Sequence, residues 1–115
     1  QHGQQRGAAR RRTMTRVCYY RNEYRLRAEG HAGAGEKGRD LICAAESILM
    51  MALERHVSQR PEMRAEILRK PGAEEIRCRP DRGCEGACRE SFDTVYAGFA
   101  LLAGEYPEHV SAREI

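Results

Sequence analysis

Between Gly30 and Gly38 four glycines fall within nine residues. So much backbone freedom exceeds what a single tight turn uses, and it disfavours continuing a helix or strand through the stretch. The segments before residue 30 and after residue 38 must therefore form separate elements.

The segment before the glycines reads as a β-hairpin. Thr15–Tyr20 is rich in β-branched and aromatic residues, and Tyr24–Glu29 alternates apolar Tyr24, Leu26 and Ala28 with charged Arg25, Arg27 and Glu29. Only Arg21, Asn22 and Glu23 separate the two, with Asn22 best suited to a positive φ in the turn. After the glycines, Asp40 is a good N-cap for a helix running to about Val57. Leu41, Ala44, Ala45, Ile48, Leu49 and Ala52 recur at helical spacing as its core face, widened by Ile42, Met50, Met51 and Leu53.

A second hairpin is expected from residues 64–69 and 74–79, since Pro71 and Gly72 suit the central positions of a type II turn. A second long helix comes next, from Cys84 to about Gly104, marked by Cys88, Phe92, Val95, Tyr96, Phe99, Leu102 and Ala103. Gly104 suits a left-handed helix end, and residues 108–115 form a tail or a short final strand. The fold class is α/β of the α+β type: two β-hairpins form a small, mostly antiparallel sheet packed with two long helices.

With 41% hydrophobic and 32% charged residues the composition is that of a globular domain, and no apolar run reaches the length of a membrane span. The net charge of +3 hides an asymmetry, because residues 1–16 hold five arginines and no acid. Met14 stands where the ordered pattern starts, so residues 1–13 are read as a disordered basic extension and 14–115 as the folded domain. Such a tail attracts nucleic acid only weakly and without sequence preference. Five cysteines, an odd number, fit reduced thiols and a cytoplasmic protein. Cys78, Cys84 and Cys88 lack the paired spacing of common zinc sites, and neither metal nor cofactor is expected.

The glycines include a literal G-x-G-x-x-G at Gly33, Gly35 and Gly38. It is not a dinucleotide fingerprint, because the preceding strand belongs to a hairpin and the chain is too short for repeated βαβ units. A phosphate-binding P-loop fails for want of its Gly-Lys-Ser/Thr ending. What remains is a histidine, His31, at the end of a strand and a cysteine, Cys43, at the third position of a helix capped by Asp40, eleven residues apart. Unpaired N–H groups at a helix start favour an anion, which biases a thiol there toward thiolate. An imidazole beside it can hold the thiol proton and later protonate a leaving amine. Taken singly, His31 is better read as a solvent-facing loop histidine.

Gly30-His31-Ala32-Gly33, then Gly38, Asp40-Leu41-Ile42-Cys43-Ala44-Ala45 and Ser47, resembles the signature of the ribosomal-processing cysteine peptidases, the Prp family. The resemblance extends over roughly residues 14–110. It implies a cysteine endopeptidase with a His31/Cys43 dyad that removes the N-terminal extension of large-subunit ribosomal protein twenty-seven during ribosome assembly, at a site preceded by aromatic residues. It further implies a homodimer and a substrate loop carrying Gly30, Gly33, Gly35 and Gly38, with Asp40 and Ser47 in supporting or orienting roles. Glu46 departs from the family's usual small or apolar residue and stands three residues after Cys43. The competing reading is a ribosome- or RNA-associated binding module without peptidase activity. The 6% aromatic content, with no clustered stacking platform, weighs against specific base recognition.

Overall fold

The computed structural model describes residues 14–30 and 37–115, with residues 37–40 described by backbone alone. Strands β1 (Thr15–Tyr20) and β2 (Arg25–Glu29) form the expected antiparallel hairpin, paired from Arg16↔Glu29 to Tyr20↔Arg25. Its turn is a 3₁₀ helix over Arg21–Glu23, and the left-handed residue is Tyr24, at φ 51°, not Asn22. Distant contacts select Tyr24. Its carbonyl accepts the Cys78 N–H at 2.9 Å, its hydroxyl accepts Arg89 Nη2 at 3.0 Å, and the Arg89 guanidinium stands 4.9 Å from its ring. Together these offset a left-handed penalty of about 1–2 kcal/mol.

The second hairpin joins β3 (Glu66–Lys70) to β4 (Ala73–Arg77), with Gly72 at φ 78° as a type II turn requires. Strand β4 pairs antiparallel with β2, and a fifth strand, β5 (Val110–Glu114), pairs parallel with β1. The order is β3-β4-β2-β1-β5, a mostly antiparallel sheet with one parallel edge. The final segment is therefore a strand and not a tail.

Helices α1 (Lys37–Ser58) and α2 (Glu85–Glu105) contribute to a single core against one face of this sheet. Val17, Tyr19, Leu26 and Ile76 from the strands meet Met50, Leu53 and Val57 of α1 and Cys88, Phe92 and Phe99 of α2. The buried stripe of α1 is Ile42, Glu46, Met50, Leu53 and Val57, whereas Leu41, Ala44, Ile48 and Ala52, expected on the core face, are exposed. An acid in the middle of the true stripe hides its periodicity, and a second apolar row on the outer side imitates it. Gly104 also departs from expectation. It lies inside α2, which ends at Glu105, and the Tyr106 N–H bonds the Leu102 carbonyl at 2.7 Å.

Tyr19 ties β1 to α2. Its ring stacks on Phe92 at 6.1 Å, and its hydroxyl donates to Asp93 at 2.6 Å. Arg21 donates to both Asp93 oxygens at 3.1 Å. Burial, then the Asp93 bond, pushes the Tyr19 phenol well above its ordinary range, while Arg21 pulls the Asp93 carboxyl down. Cys88, one turn beyond Cys84, finds its thiol partner elsewhere. It shares a hydrogen bond with Cys78, which together with burial pushes the Cys78 thiol up, while the same bond pulls the Cys88 thiol down.

Where β2 ends, Gly30 sits at φ +77°, and a Cβ there would stand 2.4 Å from the Met14 carbonyl oxygen. Its N–H donates to the Gly72 carbonyl at 2.7 Å, fastening the end of the first hairpin to the turn of the second. Gly72 shares the φ but has open space around it. Gly30→Ala should therefore cost more than about 3 kcal/mol of unfolding free energy, and Gly72→Ala only the left-handed penalty of about 1–2 kcal/mol. Urea denaturation of the two variants measures the difference, and equal costs would contradict the close approach at Gly30.

Candidate active site

His31, Gly33 and Gly35 lie outside the described residues. Gly38 and Asp40 belong by backbone to the first turn of α1, which starts at Lys37, four residues earlier than expected. Asp40 is thus inside the helix and not its N-cap. A glycine costs a helix only about 1 kcal/mol, so Gly38 does not prevent the extra turn. An acid in the first turn still complements the positive end of the helix.

The shift moves Cys43 as well. It is the seventh residue of α1, past the four N–H groups that a helix start leaves unpaired, and its side chain is partly exposed. Glu46 and Ser47 stand three and four residues further on, which places all three on one side of the helix, one turn apart. Glu46 belongs to the buried stripe and Ser47 is exposed.

Beside them lies a cavity of about 260 Å³, whose lining includes Thr15, Gly30, Glu46, Ser47 and Met50. Two of the expected site residues, Gly30 and Ser47, thus meet at one cavity. Thr15 and Glu46 are the polar groups that the sequence pattern does not connect. Thr15, only 2% exposed, donates its hydroxyl to Glu46 Oε1 at 3.0 Å, across 31 residues of chain. A polar residue on the inward register of a strand and an acid on the inward stripe of a helix are the signal for such a pair, but only once both faces are known. Among the described residues Glu46 Oε2 has no hydrogen-bond partner. Burial pushes the Glu46 carboxyl above its usual range, with the Thr15 bond acting against that shift.

Residues 14–111 match the family model described as cysteine protease Prp. The chain belongs to that family. It is a family of cysteine proteases, so the catalytic chemistry it brings is peptide-bond hydrolysis by a thiol. Solved structures share the Prp-like fold. SMU.848 from Streptococcus mutans superposes with a TM-score of 0.69 at 23% identity, covering 91% of this chain and 97% of its own. Two structures of the essential ribosomal processing protease Prp from S. aureus give TM-scores of 0.70, each covering 89% of this chain and 98% of its own. One is in complex with a covalently linked product peptide, at 19% identity, and the other with a substrate peptide, at 17%. No curated protein matches the chain in sequence.

The raised Glu46 carboxyl has a definite consequence for stability. The folded state holds this proton more tightly than the unfolded chain. Ionisation therefore costs stability as pH rises from the ordinary carboxylate range through the higher folded value, and costs nothing below that window. Glu46→Gln keeps the acceptor for Thr15 and removes the charge. It should melt at a higher temperature than wild type at pH 8, with the gap closing as the pH falls below the ordinary carboxylate range. Parallel melting curves across pH test this, and a gap that does not change with pH would contradict it.

Proposed function

We propose that the chain is a cysteine endopeptidase in which Cys43 is the nucleophile and His31 its base, and that its substrate is the N-terminal extension of large-subunit ribosomal protein twenty-seven. The observation that carries the proposal is the family match, which spans the strand leading to His31 and the helix bearing Cys43. The S. aureus protein of like fold is an essential ribosomal processing protease, which supports the substrate class.

In this mechanism His31 takes the Cys43 proton, and the thiolate sulfur attacks the carbonyl carbon of the scissile bond. The tetrahedral adduct collapses as the carbon–nitrogen bond breaks, and the imidazolium gives its proton to the departing amine. Water then attacks the thioester with His31 again as base, and the carboxylate product leaves a regenerated thiol. Because Cys43 is in the second turn of α1, the helix end that favours anions is a turn away, and its effect falls off over that distance. Activation of the thiol therefore rests on His31. Asp40 and Ser47 support the site, Asp40 from the first turn of α1 and Ser47 from the cavity wall. We assign Gly33 and Gly35 to the substrate loop, between Gly30 at the end of β2 and Gly38 in the first turn of α1.

We further propose a cytosolic homodimer. Leu41, Ile48 and Met51 are 75, 60 and 58% exposed and recur at intervals of seven and three along α1, forming an outward apolar row suited to a second copy. The lack of disulfides among the described cysteines suits a reducing compartment.

Two experiments test these assignments. Cleavage of the organism's own extended ribosomal protein should fall at least about 10³-fold in Cys43→Ala and in His31→Ala, and undiminished cleavage by Cys43→Ala would refute the nucleophile. Ile48→Glu with Met51→Glu should convert the dimer to a monomer in sedimentation velocity. A wild type that is monomeric at every concentration tested would refute the dimer.

A further inference from the structure

The cavity lined by Glu46 and Ser47, one turn along α1 from Cys43, carries a feature that the dyad does not use. Glu46 is 8% exposed and Thr15 holds one of its carboxyl oxygens, yet the second oxygen has no hydrogen-bond partner among the described residues. A buried acceptor left in this state is costly and marks a place for a donor that arrives from outside. The other charged groups around the cavity do not serve as that donor. Arg69 is committed to Glu54, with which it is hydrogen-bonded, and lies 3.4 Å from Glu74 Oε2. Lys70 makes no ion pair among the described residues; in the sheet register it pairs with Ala73, next to Glu29, on the face turned away from Ile67, Ile76 and the core.

The shape of the cavity narrows what the donor can be. Its volume of about 260 Å³ is too small for a stretch of peptide but suits one long side chain. Ala28, Gly30, Met50 and Ala73 supply apolar wall along which a methylene stem can lie, with the Glu46 carboxylate to meet a charged head group. Glu46 stands one helical turn from Cys43, so the side chain received here belongs to a residue near the bond being cut.

We propose that this cavity is a substrate subsite for a lysine or arginine side chain flanking the scissile bond, and that Glu46 is the residue that selects it. The inference rests on the peptidase reading above and adds the specificity of the same site. The pairing is between the Glu46 carboxylate and an ammonium or guanidinium group, with Thr15 holding the carboxylate in place. A neutral side chain of similar length fills the cavity but leaves the Glu46 oxygen unpaired, which is the source of discrimination.

The test uses internally quenched peptides spanning the cleavage site, with arginine, norleucine or glutamate placed in turn at each of three positions on either side of the bond. Wild type should prefer arginine over norleucine at one position by about tenfold in kcat/KM, expressed mainly in KM, and should disfavour glutamate there. In Glu46→Gln, whose folding is checked by its melting curve, the arginine-to-norleucine ratio at that position should fall close to one. Cleavage without preference for arginine at any position, or a preference that survives in Glu46→Gln, overturns the subsite and leaves the peptidase standing. If wild type cuts no peptide and Cys43 does not react with a peptide chloromethyl ketone, the peptidase reading falls and the subsite with it.

Discussion

The end of β2 comes so close to the start of β1 that no side chain fits between Gly30 and the Met14 carbonyl. The rest of the site depends on this approach. It brings Gly30 beside Thr15, and the Thr15 hydroxyl is the buried anchor for Glu46 on α1. The same glycine bonds the turn of the second hairpin through the Gly72 carbonyl. One backbone contact thus gathers the ends of both hairpins around the helix that carries Cys43. The chain leaves this point toward His31, the proposed base, so the sheet sets where that segment begins.

The electrostatics divide between groups that serve the fold and groups that serve the site. Around Tyr19 every polar atom of the cluster is answered: the phenol donates to Asp93, and Arg21 grips the carboxylate with two nitrogens. Cys78 and Cys88 answer each other inside the core. Glu46 is only half satisfied: Thr15 holds one carboxyl oxygen, while the other, like Glu74 Oε2 on the same cavity, has no hydrogen-bond partner among the described residues. Its place in the central stripe of α1 would be better filled by an apolar residue if stability alone mattered. In the proposed account, a fold that keeps such a group one helical turn from Cys43 trades stability for recognition.

Much of this architecture is legible from local chemistry. Pro71-Gly72 marks the second turn, the alternation in Arg25–Glu29 marks its strand, and the spacing from Cys88 to Leu102 marks α2. What escapes a local reading is set by distant partners. Tyr24 is left-handed because Arg89 and Cys78 hold it, and neither can be seen from the turn. The core face of α1 is disguised because Leu41 and Ile48 are apolar on the outside while Glu46 is acidic on the inside. The start of α1 is disguised as well, since Gly38 looks like loop although a helix tolerates it. Of the proposed site residues, His31 and Cys43 can be singled out by their places after a strand and near a helix start, whereas Ser47 is legible only through its match to a family signature. Thr15 is invisible until the register of β1 is known.

The central claim is that the thiol on the second turn of α1, among five in the chain, is the one that forms the covalent intermediate. It is tested most directly by treating the protein with a chloromethyl ketone built on the substrate sequence and mapping the adduct by mass spectrometry. One equivalent bound at Cys43, with complete loss of cleavage and with Cys18, Cys78, Cys84 and Cys88 unmodified, is the predicted result. Inactivation that tracks modification of any other cysteine, with Cys43 intact, would contradict it.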